Sequence, residues 1–108
     1  MYIVMSHTKD FEIGKSKIHG DGILVKNYIP KGTTLFDAMI YLFGIIPTTT
    51  DYGACINHSW TPTSVLKYSE DRKTWVIITL VDHYAGDEVT MDYRDTPWYV
   101  LGPNSWWK

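Results

Sequence analysis

Short apolar runs separated by turn residues dominate the chain. Tyr2 to Met5 (YIVM), Ile23 to Val25 (ILV), Thr33 to Phe36 (TTLF), Val65 to Tyr68 (VLKY), Thr74 to Val81 (TWVIITLV) and Glu88 to Met91 (EVTM) are enriched in β-branched and aromatic residues. Such side chains suit a pleated surface better than a helix. The pattern predicts a mostly β protein with few short helices. Thr74 to Val81 is apolar on both alternating faces apart from its threonines, as a central strand covered on both sides would be. Ile29-Pro30-Lys31-Gly32 places Pro second and Gly fourth in a type I turn, and Ser69 to Thr74 (SEDRKT) suits a hairpin connection. No segment carries a long helical period; a helical turn is expected at Asp37 to Leu42 or just after Pro97.

No linker or low-complexity segment divides the chain, so its 108 residues read as a single domain, 1–108. A hydrophobic content of 44% with 20% charged residues argues for a globular chain. Aromatic residues make up 15%, enough to expect them at a site as well as in the core. A net charge of -2 with no Lys/Arg run gives no electrostatic case for direct nucleic-acid binding. The lone Cys55 excludes an internal disulfide, and with only scattered histidines it offers no metal-ligand pair, so no metal is expected. The longest apolar run, Ala38 to Ile46, falls far short of the ~20 residues of a membrane-spanning helix, and the N-terminus lacks a signal-peptide layout. These features lead to the expectation of a soluble intracellular protein with no membrane association.

Three segments stand out chemically. Lys15 to Ile23 (KSKIHGDGI) sets Gly20 and Gly22 around Asp21 just ahead of a strand, where glycines let the backbone approach a ligand closely. A lone G-x-G is more often a plain turn, and one that precedes a strand supports neither a dinucleotide fold nor a phosphate loop. Asn57-His58-Ser59 precedes a Trp-Thr-Pro turn, and by itself reads as a turn cap. Asp92 to Val100 (DYRDTPWYV) has Tyr93 just after a strand and Trp98-Tyr99 after a proline, which ordinary packing also explains.

In order, however, K-S-x-I-H-G-D-G-I-L-V, I-P-K-G-T, Y-G-A-C-I-N-H-S-W-T-P and A-G-D-E-V-T-M-D-Y-R-D-x-x-W resemble the SET domain of protein-lysine methyltransferases, over about Phe11 to Trp98. In length the chain is similar to the compact stand-alone SET proteins of some viruses. The resemblance implies a β-clip fold of several short sheets with a C-terminal pseudoknot, in which the Tyr93 segment passes under the loop carrying Asn57-His58-Ser59. It implies S-adenosylmethionine as cofactor, a lysine-bearing protein or peptide as substrate, histone or not, and a site in the cytoplasm or nucleus of a host cell. His19, Gly20, Asp21, Gly22, Asn57, His58 and Trp98 would bind the cofactor, and Tyr93 would be the catalytic tyrosine. Tyr41, Met91, Trp98 and Tyr99 would line the lysine channel. The short flanks make a homodimer, in which a neighbour supplies a wall, a further expectation.

The chain departs from that family pattern at two positions: Thr63 replaces an Asn, and Arg94 replaces the Gly after the catalytic tyrosine. Both favour an alternative, a catalytically weak SET-like module that binds lysine-containing peptides. The segment from about Ile40 to Tyr52, which resembles an insert that helps form the substrate groove, is short. Met91 stands where relatives often carry Phe or Tyr. Because Met donates no hydrogen bond, addition of more than one methyl group is expected.

Overall fold

The structure, a computed structural model, describes residues 9–95. Strand β1 (Phe11–Lys15) folds back on β2 (Asp21–Val25) in an antiparallel pair running from Phe11 opposite Val25 to Lys15 opposite Asp21. β3 (Thr34–Leu42) and β4 (Ile46–Thr49) form the next hairpin, followed by a one-turn helix, α1 (Asp51–Cys55), and a two-residue strand, β5 (Asn57–His58). β6 (Ser64–Ser69), β7 (Thr74–Thr79) and β8 (Glu88–Met91) follow, and a 3₁₀ turn spans Tyr93–Asp95. The strands make two four-stranded sheets, ordered β1-β2-β8-β5 and β4-β3-β7-β6. The mostly β architecture expected from the apolar runs is therefore present.

Thr74 to Val81 supplies β7, which is central as expected, lying between β3 and β6. The strand stops at Thr79, and Leu80 and Val81 are exposed. The Ser69 to Thr74 segment makes the expected β6–β7 hairpin, with Ser69 opposite Thr74. The helical turn expected at Asp37 to Leu42 is absent, because those residues belong to β3. Ala, Met and Leu favour helix only weakly, and pairing to β7 on one side and β4 on the other overrides that preference. Register shifts between Thr34 and Phe36 and between Asp37 and Met39 bulge the strand, so the alternation a strand normally shows in its burial is lost. The Tyr2 to Met5 run and the turn after Pro97 lie outside the described residues.

The sheets meet over a core that includes Phe11, Ile23, Phe36, Ile77 and Val89, all at most 1% exposed. Phe11 on β1, Phe36 on β3 and Tyr52 on α1 form a triangle with ring centroids 5.2 to 5.5 Å apart. Each such pair contributes ~0.5–1.5 kcal/mol beyond its buried area, and together they pin the helix and both sheets. Asp37 is buried at 1% exposure and takes hydrogen bonds from the Arg72 guanidinium and from the Thr74 hydroxyl at 2.8 Å. Arg72 lies in the β6–β7 turn, so this ion pair ties that hairpin to β3.

Thr50 caps α1 by accepting from the Gly53 N–H at 3.0 Å, while its own hydroxyl donates to the Asp37 carbonyl. The chain then leaves the helix directly into β5, which pairs in parallel with β8: Asn57 opposite Thr90, His58 opposite Met91. This pairing joins the middle of the chain to its far end. The Tyr93 turn consequently lies against the residues that begin β5. The part of the expected pseudoknot that follows Asp95 lies outside the described residues.

Candidate functional site

A cleft of about 470 Å³ opens where these elements converge. Its walls come from the end of the β1–β2 loop and the first residue of β2 (His19, Gly20, Asp21), from the end of α1 (Ala54, Cys55), and from Asn57 and Tyr93. Four of the expected cofactor residues and the expected catalytic tyrosine are thus brought to one place from three separate parts of the sequence. The volume lies in the usual range of ~300–1,000 Å³ for small-molecule sites.

The loop is shaped locally and anchored from afar. The Ser16 N–H donates to the Gly20 carbonyl at 2.8 Å, and the Ser16 hydroxyl accepts from the N–H of Ile18 at 2.8 Å and of His19 at 3.2 Å. Gly20 has φ +48 with open space where a side chain would be, a conformation that favours glycine. Gly22 is a glycine for another reason: a Cβ there would lie 2.5 Å from Oε2 of Glu88. Gly22 is buried and is not part of the cleft wall.

Asn57, 5% exposed, sits at the floor. Its Nδ2 donates to the carbonyls of His19 at 3.0 Å and Asp21 at 3.1 Å and to the Glu88 carboxylate at 2.9 Å. The amide therefore holds the loop in place. His58 points to the other side of β5, where its Nδ1 accepts the Tyr93 N–H at 3.0 Å. An accepting Nδ1 assigns the neutral ring's proton to Nε2. Burial pushes the His58 pKa down, with Arg94 adding to the effect and Asp92 opposing it. His58 stacks edge-on with Trp60 at 4.2 Å and lies 5.2 Å from the Tyr93 ring. It positions the tyrosine and is not among the cleft-lining residues.

The Tyr93 hydroxyl donates to the Ile56 carbonyl at 2.8 Å. Burial raises its pKa above the ordinary 10.0, against a smaller opposing contribution from its backbone contact with His58, so it stays protonated at neutral pH. The Cys55 thiol is pushed up as well, first by burial and then by the carboxylates of Asp21 and Asp51. Among the described residues, Asp21 is the one carboxylate that lines the cleft.

The two departures from the family pattern lie outside the cleft. Arg94 is exposed, folds back onto the Asp92 carboxylate and stacks over Trp60 at 4.8 Å. That pairing pulls the Asp92 pKa down. Thr63 joins the loop after Trp60 to β8: its N–H donates to Thr90 Oγ1 at 3.1 Å, and its hydroxyl accepts the Thr90 N–H at 3.0 Å.

Two residues expected in the lysine channel do not line this cleft. Met91 is 4% exposed within the core on β8. Tyr41 accepts a hydrogen bond from Trp75 Nε1 at 2.8 Å on the second sheet and is not among the cleft-lining residues. Trp98 and Tyr99 lie outside the described residues. Nothing in the sequence pattern marks Glu88, Ser16 or the Ile56 carbonyl as part of the site. Ser16 and Glu88 are 72 positions apart, and no local signal connects them. Among the described residues no cluster of His, Cys, Asp and Glu could hold a metal ion, and no helix is long and apolar enough to cross a membrane.

No family model matches the chain, and no curated protein matches it. A crystal structure of a Plasmodium falciparum protein provisionally described as a histone methyltransferase superposes with a TM-score of 0.65 at 17% identity, covering 82% of this chain and 96% of that one. The likeness is one of fold: the chain has a small, β-rich, methyltransferase-like architecture.

Proposed function

We propose that the protein is a SET-type protein-lysine N-methyltransferase that uses S-adenosylmethionine. The observation that carries this reading is the convergence of the His19–Asp21 segment, the anchored Asn57 and the held Tyr93 around one cleft. The fold likeness supports it. The donor set also fits the cofactor. With Nδ2 of Asn57 committed, its Oδ1 is the amide atom left to accept from an ammonium group. The open backbone at Gly20 leaves room for close main-chain contact, and Asp21 at the rim suits a cation.

S-adenosylmethionine, when bound, supplies a methyl group on a sulfonium to a neutral amine nitrogen. The chain's residues align and desolvate. Tyr93, protonated and fixed at both its N–H and its hydroxyl, acts as an aligner rather than a base: its oxygen keeps a lone pair to orient the incoming amine. Free lysine has a pKa of about 10.4, and burial beside a cation lowers it toward the neutral form that reacts. Thr63 and Arg94 make structural contacts outside the cleft, and neither is given a part in the chemistry.

Calorimetric titration with S-adenosylmethionine tests the reading without a known substrate. Saturable binding is expected, and Asn57→Ala should weaken it at least tenfold, roughly the loss of one hydrogen bond to a charged group. Tyr93→Phe should bind the cofactor nearly as well and lose most methyl transfer to a lysine peptide. A folded protein that binds no cofactor would overturn the proposal.

A further inference from the structure

We propose that Glu88, backed by Ser16, is a positioning residue that fixes which way the Asn57 amide faces, and so sets recognition of the amino-acid end of the cofactor; the inference rests on the methyltransferase reading above. The Asn57 Nδ2 is surrounded by three oxygens: the carbonyls of His19 and Asp21 and Oε2 of Glu88. A flipped amide would set Oδ1 against all three, so the orientation is determined by its surroundings. Among the described residues none donates to Oδ1, leaving it to receive a ligand's N–H, as a positively charged amine would offer.

Glu88 is the one charged member of that set, and hydrogen bonds to charged groups are the stronger ones. It is itself held: the Ser16 hydroxyl donates to its carboxylate at 2.8 and 3.0 Å, and the carboxylate fills the space a side chain at residue 22 would take. Through Ser16, which also accepts the Ile18 and His19 N–H groups, the same carboxylate fixes the loop and the amide together. Gly22, Ser16, Asn57 and Glu88 thus form one unit. No step of methyl transfer is assigned to Glu88.

A selective ligand pair separates positioning from general structural support. S-adenosylmethionine carries the amino-acid end, whereas methylthioadenosine has the same adenosine and sulfur without it. In calorimetry Glu88→Ala should weaken S-adenosylmethionine roughly tenfold while leaving methylthioadenosine within about twofold. Glu88→Gln, which keeps an accepting oxygen of the same reach, should restore most of the lost affinity. Ser16→Ala should show the same selectivity with a smaller loss, and serves if Glu88→Ala does not fold. In the protein without ligand, the Asn57 side-chain amide protons should be protected from exchange, and that protection should fall in Glu88→Ala and Ser16→Ala. Equal losses for both ligands, or unchanged amide protection in a folded variant, would overturn the inference while leaving the proposed activity standing. A native protein that binds neither ligand would overturn the activity, and the inference with it.

Discussion

Gly53 shows how one missing side chain sets the geometry of the cleft. A Cβ at this position would collide with the carbonyl oxygen and carbon of Ala38, which are backbone atoms of β3 and cannot rotate away. The residue is glycine because α1 rests directly on the strand. Gly53→Ala should therefore cost about 1–3 kcal/mol of stability, the range for overpacking, read as a lower urea midpoint. Since Ala54, Cys55 and Asn57 follow on the same stretch, the S-adenosylmethionine binding proposed above should weaken too. A variant as stable as the native chain would show that the helix can lift off without penalty. Gly20 and Gly22 look alike in sequence, yet one answers to a positive φ and the other to a carboxylate packed against it.

At the level of elements, the β3–β4 hairpin is built against its own turn chemistry. Its central residues Phe43 and Gly44 have φ 55 and φ 77, the signs of a type I′ turn, which Asn-Gly fills best. A left-handed phenylalanine costs roughly 1–2 kcal/mol, and at 92% exposure Phe43 gains little burial in return. Phe43→Asn should raise the urea midpoint by an amount equivalent to about 1 kcal/mol with no change in slope. A loss of stability instead would mean that the ring makes a contact worth more than the backbone strain. The parallel β5–β8 pair works differently. It is only two residues long, and its position rests on the Thr63–Thr90 bonds beside it and on the Tyr93 contacts beyond it.

For the whole molecule, that seam makes stability depend on pH. His58 is held neutral with a folded pKa below the ordinary 6.5, so the unfolded chain takes up a proton first as the pH falls. The stability it contributes is complete above about 6.5 and is lost as the pH drops from there through the lowered folded value. Protonating Nδ1 removes the acceptor for the Tyr93 N–H, so the site should loosen along with the fold. Asp92, whose pKa lies below 3.8, acts in a lower window, and Asp95, whose pKa burial raises, opposes the trend there. Urea denaturation between about pH 7.5 and 5 should show falling stability in the native protein and a flatter profile in His58→Asn. Parallel profiles would exclude His58 as the titrating group.

The β content, the central place of the Thr74 to Val81 segment and the β6–β7 hairpin were legible in the sequence, because β-branched runs and turn residues act over a few positions. The glycine loop, Asn57 and Tyr93 were legible as candidates because their order along the chain resembles a known family. Which face each one presents was not. That Asn57 holds the loop from below, that His58 clamps Tyr93 and that Met91 sinks into the core follow from the β5–β8 pairing, a contact between segments more than thirty positions apart. The strand at Asp37 to Leu42 was hidden because its neighbours, not its own residues, make it extended. The sequence alone determined which residue types are available and in what order. Which of them face the cleft depends on contacts across the fold, because hydrogen bonds such as Ser16 to Glu88 form between residues that no local pattern connects.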